Sequence, residues 1–510
     1  MRVCIISREY PPETGFGGIA TFSNHLANGL KEIGHEVEVV ALARDTAKTV
    51  VQDGIRVHRV VPTDIPGNLG CVAFCMPYSR YVLQTTTALW EKFFELHNER
   101  PFDVIDTPEL LAEGLVPAIT KAAPLVVRLY TPHSKFIAEG LHNVTPTFDH
   151  QFVAMLERVA MVSSDAITSP SEDLADFVAS DLHYPRNEIR IIRNPIDPQE
   201  FSPDGDKAIK PDGRLTVLFV GRLEERKGIR YLIDAVPKVV AKFPNVRFVI
   251  IGDDTNNGKG QKSVKAELDK QIADRGCAGN LLFIPRIPLK ELPAHYRSAD
   301  ICVVPSVYDN SPYTCLEAMS CGRPVVGTSA GGTREYVTDG ESGIIVPPRD
   351  GDALADAILR LLENDAERIA MGKAARQRTL DKFQRTEIAR QTAEIYELAC
   401  QRFVARHPHR LYLKEPSDAM FDAKAFLFAY DRMIYDLLYL KSYRFRIWHW
   451  WRLIKKRPKL SVAKAALSCC RLVFRGKTPA GLQKLVAKLE NDVKQKQHDD
   501  EILALSTNTR

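Results

Sequence analysis

Two consecutive series of strand and helix patterns run along this chain, and they constrain its fold more than any other feature. The first series contains "RVCIIS", "EVEVVAL", "VIDT", "LVVRLY", "DAITSP" and "IRIIRNP", with a helix pattern over 20–33. The second contains "LTVLFVG", "VRFVIIG", "LLFIP", "DICVVPS", "PVVGT" and "SGIIVPP". Strands that alternate with helical segments favour parallel sheets covered by helices on both faces. The sequence therefore predicts two doubly wound α/β domains.

A stretch rich in Pro, Gly and Asp, "PQEFSPDGDKAIKPDGR", separates the two series and is typical of a surface connection. We place the domains at 1–200 and 201–405, and we assign the helical stretch 363–405 to the end of the second domain. Residues 406–510 form a basic, aromatic and mainly helical C-terminal extension. Ligands of doubly wound folds bind beyond the carboxyl ends of the parallel strands. Two such domains that face each other therefore create a cleft between those ends.

The composition is typical of a soluble globular protein, with 45% hydrophobic and 26% charged residues. No apolar stretch reaches the roughly 18 residues that a membrane-spanning helix needs. The first residues lack the pattern of a secretory signal, so we expect the protein to be cytoplasmic. The ten cysteines have neither zinc-site spacing nor the density of a disulfide framework. This pattern favours buried, reduced thiols.

The stretch "REYPPETGFGGIATF" raises the question of a dinucleotide, because Gly15, Gly17 and Ala20 fit the pattern G-x-G-x-x-A. In a dinucleotide-binding domain the first glycine directly follows the first strand, whereas here the predicted strand ends eight residues before it. The end of the second strand carries Arg44 and Asp45, which is an ambiguous ribose-binding signal. A dinucleotide site, a tight turn and a loop for another phosphate or substrate all stay open at this point.

Two cations follow the first strand of the second domain, in "VGRLEERKG". Arg222 and Lys227 lie five residues apart, where the chain enters the next helix. Beyond the end of a parallel strand they are well placed to hold a diphosphate and to neutralise it as a leaving group. A solvated turn with surface charges is the alternative.

Two carboxylates lie in "PSVYDNSPYTCLEAMSCGRPVV", after the strand "DICVVP". Asp309 and Glu317 are separated by seven residues, and a helix is predicted to begin near Pro312. Carboxylates form strong hydrogen bonds to the hydroxyls of sugars and ribose, so this pattern suits a sugar nucleotide. The alternative is that Asp309 caps the helix and Glu317 is a surface charge on it.

Together these motifs resemble those of the retaining family 4 glycosyltransferases, which have the GT-B fold of two Rossmann-like domains facing a central cleft. The resemblance covers about residues 1–400 and includes "GFGGIATF", "IIRNPIDPQEF", "FVGRLEERKG", "YRSADICVVPS" and "SPYTCLEAMSCGRPVVGTSAGGTREY". It implies a nucleoside diphosphate sugar as donor, with UDP and GDP both open and UDP preferred. It also implies retention of the anomeric configuration, and no metal or other cofactor is expected because the two cations neutralise the diphosphate.

The resemblance implies roles for individual residues. Arg222 and Lys227 would grip the diphosphate, Asp309 would lie near the donor sugar, and Glu317 would bind the ribose. The segments predicted to line the rest of the donor site are Gly17 and Gly18 on the first domain, Ser311, Pro312, Tyr313 and Thr314 near the sugar and phosphates, and Arg286 and Ile287 near the base.

Two positions depart from the family pattern. Asp309 replaces the usual glutamate, which shortens the reach of the carboxylate by one methylene. The family's histidine after a strand of the first domain aligns with Tyr130 in "VVRLYTPHS", and His133 follows three residues later. Both Tyr130 and His133 are therefore candidates for the role of that histidine.

The C-terminal extension is strongly basic, with twelve Lys or Arg and no Asp or Glu from Lys441 to Lys477. The segment "YRFRIWHWWRLI" gathers aromatic residues on one helical stripe with cations beside it, a pattern that suits an anionic membrane surface. We assign this contact to 443–477. A helix packed on the catalytic domains is the alternative. No nucleic-acid partner is expected, because the segment contains no recognisable nucleic-acid-binding motif.

These features predict a hexosyltransferase that acts on a lipid-linked or cell-envelope glycan acceptor, in the cytoplasm or peripherally on the inner face of the membrane. Two alternatives stay open. One is another GT-B enzyme, such as a sugar-nucleotide epimerase or a glycogen- or sucrose-type synthase. The other is a catalytically silent subunit that binds a sugar nucleotide.

Overall fold

The computed structural model describes residues 1–15, 17–62, 76–139, 146–256, 258, 263–406 and 487. One compact unit comprises Met1–Asn68 and Val72–Ala425, and a second comprises Leu69–Cys71 and Phe426–Arg510. All described residues except Ala487 belong to the first unit. The predicted membrane contact at 443–477 therefore lies outside the described residues.

The first part of the chain forms an eight-stranded sheet with the order β3-β4-β2-β1-β5-β6-β7-β8. Neighbouring strands are parallel except at one edge, where β3 is antiparallel to β4. The strands are β1 Arg2–Ile6, β2 Glu36–Leu42, β3 Lys48–Gln52, β4 Ile55–Val60, β5 Val104–Pro108, β6 Leu125–Arg128, β7 Ala166–Ser169 and β8 Ile189–Ile191.

The second part of the chain forms a six-stranded, fully parallel sheet with the order β11-β10-β9-β12-β13-β14. Because all of its strands point the same way, the loops that follow them meet along one edge. The strands are β9 Thr216–Val220, β10 Arg247–Ile251, β11 Leu281–Ile284, β12 Ile301–Val304, β13 Val325–Thr328 and β14 Gly343–Val346.

Helices pack on both faces of each sheet through apolar clusters. Those that follow strands of the first sheet are α1 Gly18–Glu32, α2 Pro77–Glu99, α3 Leu115–Thr120, α4 His133–Glu139, α5 Phe148–Val162 and α6 Glu172–Leu182. The later ones are α7 Ile229–Lys242, α8 Val264–Arg275, α9 Leu292–Ser298, α10 Tyr313–Ser320, α11 Thr333–Tyr336, α12 Gly351–Glu363, α13 Asp365–Lys382 and α14 Arg385–Arg406. The prediction of two doubly wound α/β domains is confirmed.

Local sequence signals set several helix starts. The side chain of Ser171 accepts a hydrogen bond from the amide of Leu174 and caps α6, and Asp350 caps α12 in the same way. Such caps satisfy amides that have no partner within the helix. Helix α1 begins at Gly18, two residues before the predicted boundary, and Gly17 is its N-cap residue.

The prediction that 363–405 closes the second domain is wrong for its last part. Helix α14 packs on α1 and on strands of the first sheet. A Cβ at Gly29 of α1 would lie 2.5 Å from the carbonyl oxygen of Arg385, so glycine allows this close approach. The segment that leads back to the first domain lies beside the segment that leads away from it. There the amide of Ile196 donates to the carbonyl oxygen of Phe383 over 2.8 Å. The apolar stripe of α14 thus completes the core of the first domain.

Candidate active site

The loop at 221–228 connects β9 to α7 at the carboxyl end of the second sheet. Gly228 has a φ of +68°, and a Cβ there would lie 1.8 Å from the carbonyl oxygen of Pro305. No side chain fits this approach, so the loop lies directly against the segment that follows β12. The side chain of Arg222 is 62% exposed, whereas that of Lys227 is 19% exposed. The surface-turn alternative therefore fails for Lys227.

Lys227 and Asp309 form an ion pair between these two loops. Lys227 Nζ lies 2.5 Å from Asp309 Oδ2, and Arg226 Nη1 lies 3.6 Å from Asp309 Oδ1. Burial opposes the ionisation of Asp309, but the two cations outweigh it and hold the pKa of this carboxyl below its usual value. The helix-cap alternative does not hold, because Pro312 is the N-cap residue of α10 and no side chain caps it.

Arg226 joins the same two loops and carries no distinguishing pattern in the sequence. Its Nη2 donates to Glu224 Oε1 over 2.9 Å, and its Nη1 donates to the carbonyl oxygen of Tyr308 over 3.2 Å. Its backbone oxygen accepts from the amide of Val307 over 2.8 Å. In the sequence Arg226 is only a second basic residue beside Lys227. Its role in joining the two loops is visible only in the structure.

Glu317 is buried under the site and is not a surface charge. It lies on α10 with 5% of its surface exposed, and Tyr296 Oη donates to its Oε2 over 2.7 Å. Burial raises the pKa of Glu317 to about 7, although the hydrogen bond from Tyr296 opposes this rise. The carboxyl group therefore changes its protonation close to neutral pH. Tyr296 was not predicted, because a tyrosine on a short amphipathic helix gives no functional signal.

The glycine stretch lies at the N-terminus of α1. Gly15 has a φ of +72°, and a Cβ there would lie 2.5 Å from Cβ of Glu9, so this turn requires glycine. Gly17 is the N-cap residue and Gly18 the first residue of α1. A Cβ on Gly18 would lie 3.8 Å from Cδ2 of Tyr313. The tight-turn interpretation thus applies to Gly15, whereas Gly18 meets the second domain at the cleft.

The remaining predicted donor-site residues share one edge of the second sheet. The predicted loop segment ends at Pro312, and α10 begins at Tyr313, directly beyond β12. Arg286 and Ile287 follow β11, and the amide of Arg286 donates to Asp253 Oδ1 over 3.0 Å. Strands β11, β10, β9 and β12 are consecutive in the sheet. The structure therefore aligns, along this edge, Arg286, Ile287, Arg222, Lys227, Asp309, Ser311, Pro312, Tyr313, Thr314 and Glu317.

Tyr130 and His133 have different surroundings. The carbonyl oxygen of Tyr130 accepts a hydrogen bond from Nδ2 of Asn310 in the second domain. His133 is the first residue of α4; its Nδ1 lies 2.6 Å from Glu157 Oε1 and its Nε2 lies 2.7 Å from the hydroxyl of Tyr78. Both ring nitrogens of His133 are thus engaged within the first domain. Tyr130 therefore lies where the first domain contacts the second.

Two family models match the chain in succession. The model described as Glycosyltransferase Family 4 matches residues 16–200, and the model described as Glycosyl transferases group 1 matches residues 203–378. Together they span well over half of the chain. The chain belongs to the family 4 type of glycosyltransferases. The prediction that this chain is a glycosyltransferase is thereby confirmed.

Relatives of this glycosyltransferase match it over nearly their whole length. An uncharacterized glycosyltransferase from Methanocaldococcus jannaschii is 29% identical over 412 residues, which cover 79% of this chain and 99% of the relative. A D-inositol 3-phosphate glycosyltransferase from Corynebacterium urealyticum is 27% identical, over 78% of this chain and 95% of the relative. A phosphatidyl-myo-inositol mannosyltransferase from Mycolicibacterium smegmatis is also 27% identical, over 78% and 92%.

Solved structures share the fold of this glycosyltransferase. Sucrose-phosphate synthase from Thermosynechococcus elongatus superposes with a TM-score of 0.63 at 23% identity, over 79% of this chain and 99% of that one. Anabaena HepE in complex with UDP-glucose superposes with a TM-score of 0.57 at 20% identity, over 78% and 99%. The GT-B fold is confirmed.

Two kinds of structural feature are absent from the residues that the structure describes. No helix in this part of the chain is both long and apolar enough to cross a membrane. The same residues include no group of three or more His, Cys, Asp or Glu that is suited to a metal ion.

Proposed function

We propose that this glycosyltransferase is a hexosyltransferase that moves a sugar from a nucleoside diphosphate sugar to a lipid-linked or cell-envelope glycan, with retention of configuration. One observation carries the proposal. Lys227, assigned to the diphosphate, and Asp309, assigned to the sugar, lie 2.5 Å apart. Side chains this close together can both be reached by a single donor, because its sugar and its diphosphate are directly bonded to each other.

The proposed chemistry depends on charge stabilisation. As the bond between the anomeric carbon and the diphosphate breaks, negative charge develops on the leaving group, and Arg222 and Lys227 stabilise it. The acceptor hydroxyl attacks from the face that the diphosphate leaves, which retains the configuration. We expect activity without a divalent metal, because these cations provide the neutralisation that a metal ion supplies in other enzymes.

The nucleotide and the acceptor are proposed by comparison with similar proteins. HepE was solved with UDP-glucose, which supports UDP as the first nucleotide to test, with GDP as the second. A mannosyltransferase that acts on phosphatidyl-myo-inositol is a relative, which supports a lipid acceptor. The basic, tryptophan-rich segment at 443–477 supports contact with an anionic membrane on its cytoplasmic face.

The donor is tested by a thermal-shift screen with UDP, GDP, UDP-glucose and GDP-mannose, since a ligand that binds only the folded state raises its stability. Lys227→Gln should abolish the shift. Arg230→Gln is the matched control, because Arg230 lies on the first turn of α7 and pairs with Glu225 and Glu267. Absence of a shift with all four compounds, measured on the wild-type protein, would refute the donor assignment.

The membrane contact is tested by flotation with vesicles that contain phosphatidylglycerol. The full chain should float and a chain truncated after Arg406 should not, whereas both should bind the same nucleotide. Equal flotation of the two chains would contradict the membrane assignment and leave the donor assignment standing.

A soluble phosphorylated polyol is the second candidate acceptor, because one relative is named a D-inositol 3-phosphate glycosyltransferase. Radiolabelled donor is supplied with either a total lipid extract or inositol phosphate. Label in the organic phase supports the lipid acceptor, and label in a water-soluble product supports the polyol. Nucleotide binding without donor hydrolysis or transfer would instead identify a silent subunit.

A further inference from the structure

Arg128 is a buried cation that the proposed reaction does not use. It is the last residue of β6 and is 1% exposed. Its guanidinium carbon lies 3.4 Å from the ring centroid of Phe22. Its Nη2 donates to Asn194 Oδ1 over 2.9 Å, but its Nε has no hydrogen-bond partner. A buried charge that is only partly paired is costly to maintain, and such a group calls for an explanation.

Asn194 connects Arg128 to the second domain. Its Nδ2 donates to the carbonyl oxygen of Ser311 over 3.0 Å, and its backbone amide donates to the hydroxyl of Tyr336 over 3.1 Å. The hydroxyl of Tyr336 is in turn hydrogen-bonded to the side chain of Ser311. Ser311 is therefore fixed through both its backbone and its side chain, immediately before the N-cap residue of α10.

A second contact of Arg128 is with the helix that carries the glycine stretch, and its guanidinium carbon also lies 5.7 Å from the ring centroid of Tyr130. Phe22 lies on α1, whose first residue, Gly18, faces Tyr313 across the cleft. One guanidinium group thus touches the helix that begins at Gly18 and, through Asn194, the loop that leads to Tyr313. These are the two segments predicted to enclose the donor from opposite sides.

We propose that Arg128 is a positioning residue, which acts through Asn194 to set the end of the loop and the first residues of α10, at 311–314, against Gly18. The inference rests on the proposed function, because it takes this loop to be part of the donor site. The role requires arginine, since one edge of the planar group donates to Asn194 while its face lies on the Phe22 ring. A lysine retains the charge but not both contacts.

The first test needs no substrate. Amide hydrogen exchange is measured over 306–317 in the ligand-free protein for the wild type, Arg128→Met, Asn194→Ala and the double variant. We expect exchange of the amides of Ser311, Tyr313 and Thr314 to rise about tenfold in Arg128→Met, as loss of one ordering hydrogen bond predicts. Because both residues act in one chain of contacts, exchange in the double variant should be at most about twofold faster than in either single variant.

The matched control is Arg193→Met. Arg193 precedes Asn194 and also joins the two domains, through an ion pair of 2.5 Å with Glu335, and its Nη1 donates to the carbonyl oxygen of Pro170 and not to Ser311. Its loss should leave exchange over 311–314 as in the wild type. Three results would each overturn the proposal. They are unchanged exchange in Arg128→Met, equal increases in Arg128→Met and Arg193→Met, and additive effects in the double variant.

The second test is the hydrolysis of UDP-glucose and GDP-mannose without acceptor. Arg128→Met should lower kcat about tenfold or more, while the Kd for the free nucleoside diphosphate stays within about threefold because Arg222 and Lys227 are intact. Arg128→Lys should lie between this variant and the wild type, and it replaces Arg128→Met if the latter does not fold. A wild-type kcat in both variants would overturn the proposal. If the wild type hydrolyses neither donor, the exchange experiment alone decides the positioning role, and the transfer assay with labelled donor decides the proposed function.

Discussion

The phenol of Tyr396 donates a hydrogen bond of 2.9 Å to the carboxyl group of Asp106, which lies 290 positions earlier in the chain. Tyr396 is on α14 and Asp106 is on β5, and both side chains are buried. Burial raises the pKa of Asp106 to about 7, while the bond from Tyr396 opposes the rise. A helix that follows the second domain is thus tied to the central strands of the first.

Tyr396→Phe should lower the free energy of unfolding at pH 8 by about 1–2 kcal/mol, because ionised Asp106 loses its hydrogen-bond donor. At pH 5 the folded protein holds Asp106 protonated, and the loss should be smaller. The folded-state pKa lies above its ordinary value of 3.8, so the contribution of this group to stability is present at low pH and declines as the pH rises from about 4 to 7. Urea unfolding at pH 5 and pH 8 measures both effects. Equal losses at the two pH values would contradict this account.

Asp309→Asn should separate nucleotide binding from turnover. In the ligand-free protein Asp309 neutralises Lys227, so its removal frees this cation for the diphosphate. We expect a severalfold lower Kd for UDP, with donor hydrolysis reduced about hundredfold because the contact with the sugar is lost. Asp309→Glu retains the charge and is the matched control, in which UDP should bind as in the wild type. Weaker UDP binding by Asp309→Asn would rule out competition within the ion pair.

Glu317 should make nucleotide binding depend on pH. Its pKa is raised to about 7, and the ionised carboxylate accepts hydrogen bonds from ribose hydroxyls more strongly than the neutral acid does. Titration calorimetry with uridine, which has no phosphate that titrates, should therefore give tighter binding at pH 8 than at pH 6. In Glu317→Gln the affinity should be lower and the same at both pH values. A wild-type affinity that is flat between pH 6 and pH 8 would remove the carboxylate from the ribose contact.

Gly228→Ala should be much more harmful than Gly276→Ala, although the two glycines have similar φ angles of +68° and +65°. At Gly276 no atom lies within 4 Å of the added Cβ, so only the backbone conformation costs energy, about 1–2 kcal/mol. At Gly228 the Cβ would lie 1.8 Å from the carbonyl oxygen of Pro305, so the loop at 221–228 must also move. Urea unfolding should give the larger loss for Gly228→Ala, and UDP binding should weaken only in this variant. Similar behaviour of the two variants would argue against the close approach of these loops.

The local motifs of the site could be predicted because each follows a strand of a parallel sheet. Arg222 and Asp309 come after β9 and β12, which are neighbours in the sheet, so a correct topology already brings their loops together. Partners that are distant in sequence could not be predicted in this way. Nothing near Tyr130 indicates that Asn310 hydrogen-bonds to its backbone, and nothing near Glu317 points to Tyr296. Such pairs depend on the relative position of domains and helices, which residue spacing does not encode.

The return of α14 to the first sheet also affects how this chain is made. Residues 1–200 leave the ribosome first. The apolar surface formed by α1 and the central strands is covered only once Ala389, Ala393 and Tyr396 have been synthesised. These residues are synthesised only after the whole of the second domain. Because domains tend to fold as units during synthesis, the second domain can fold while the first is still incomplete. The domain that is begun first is therefore the one that is completed last.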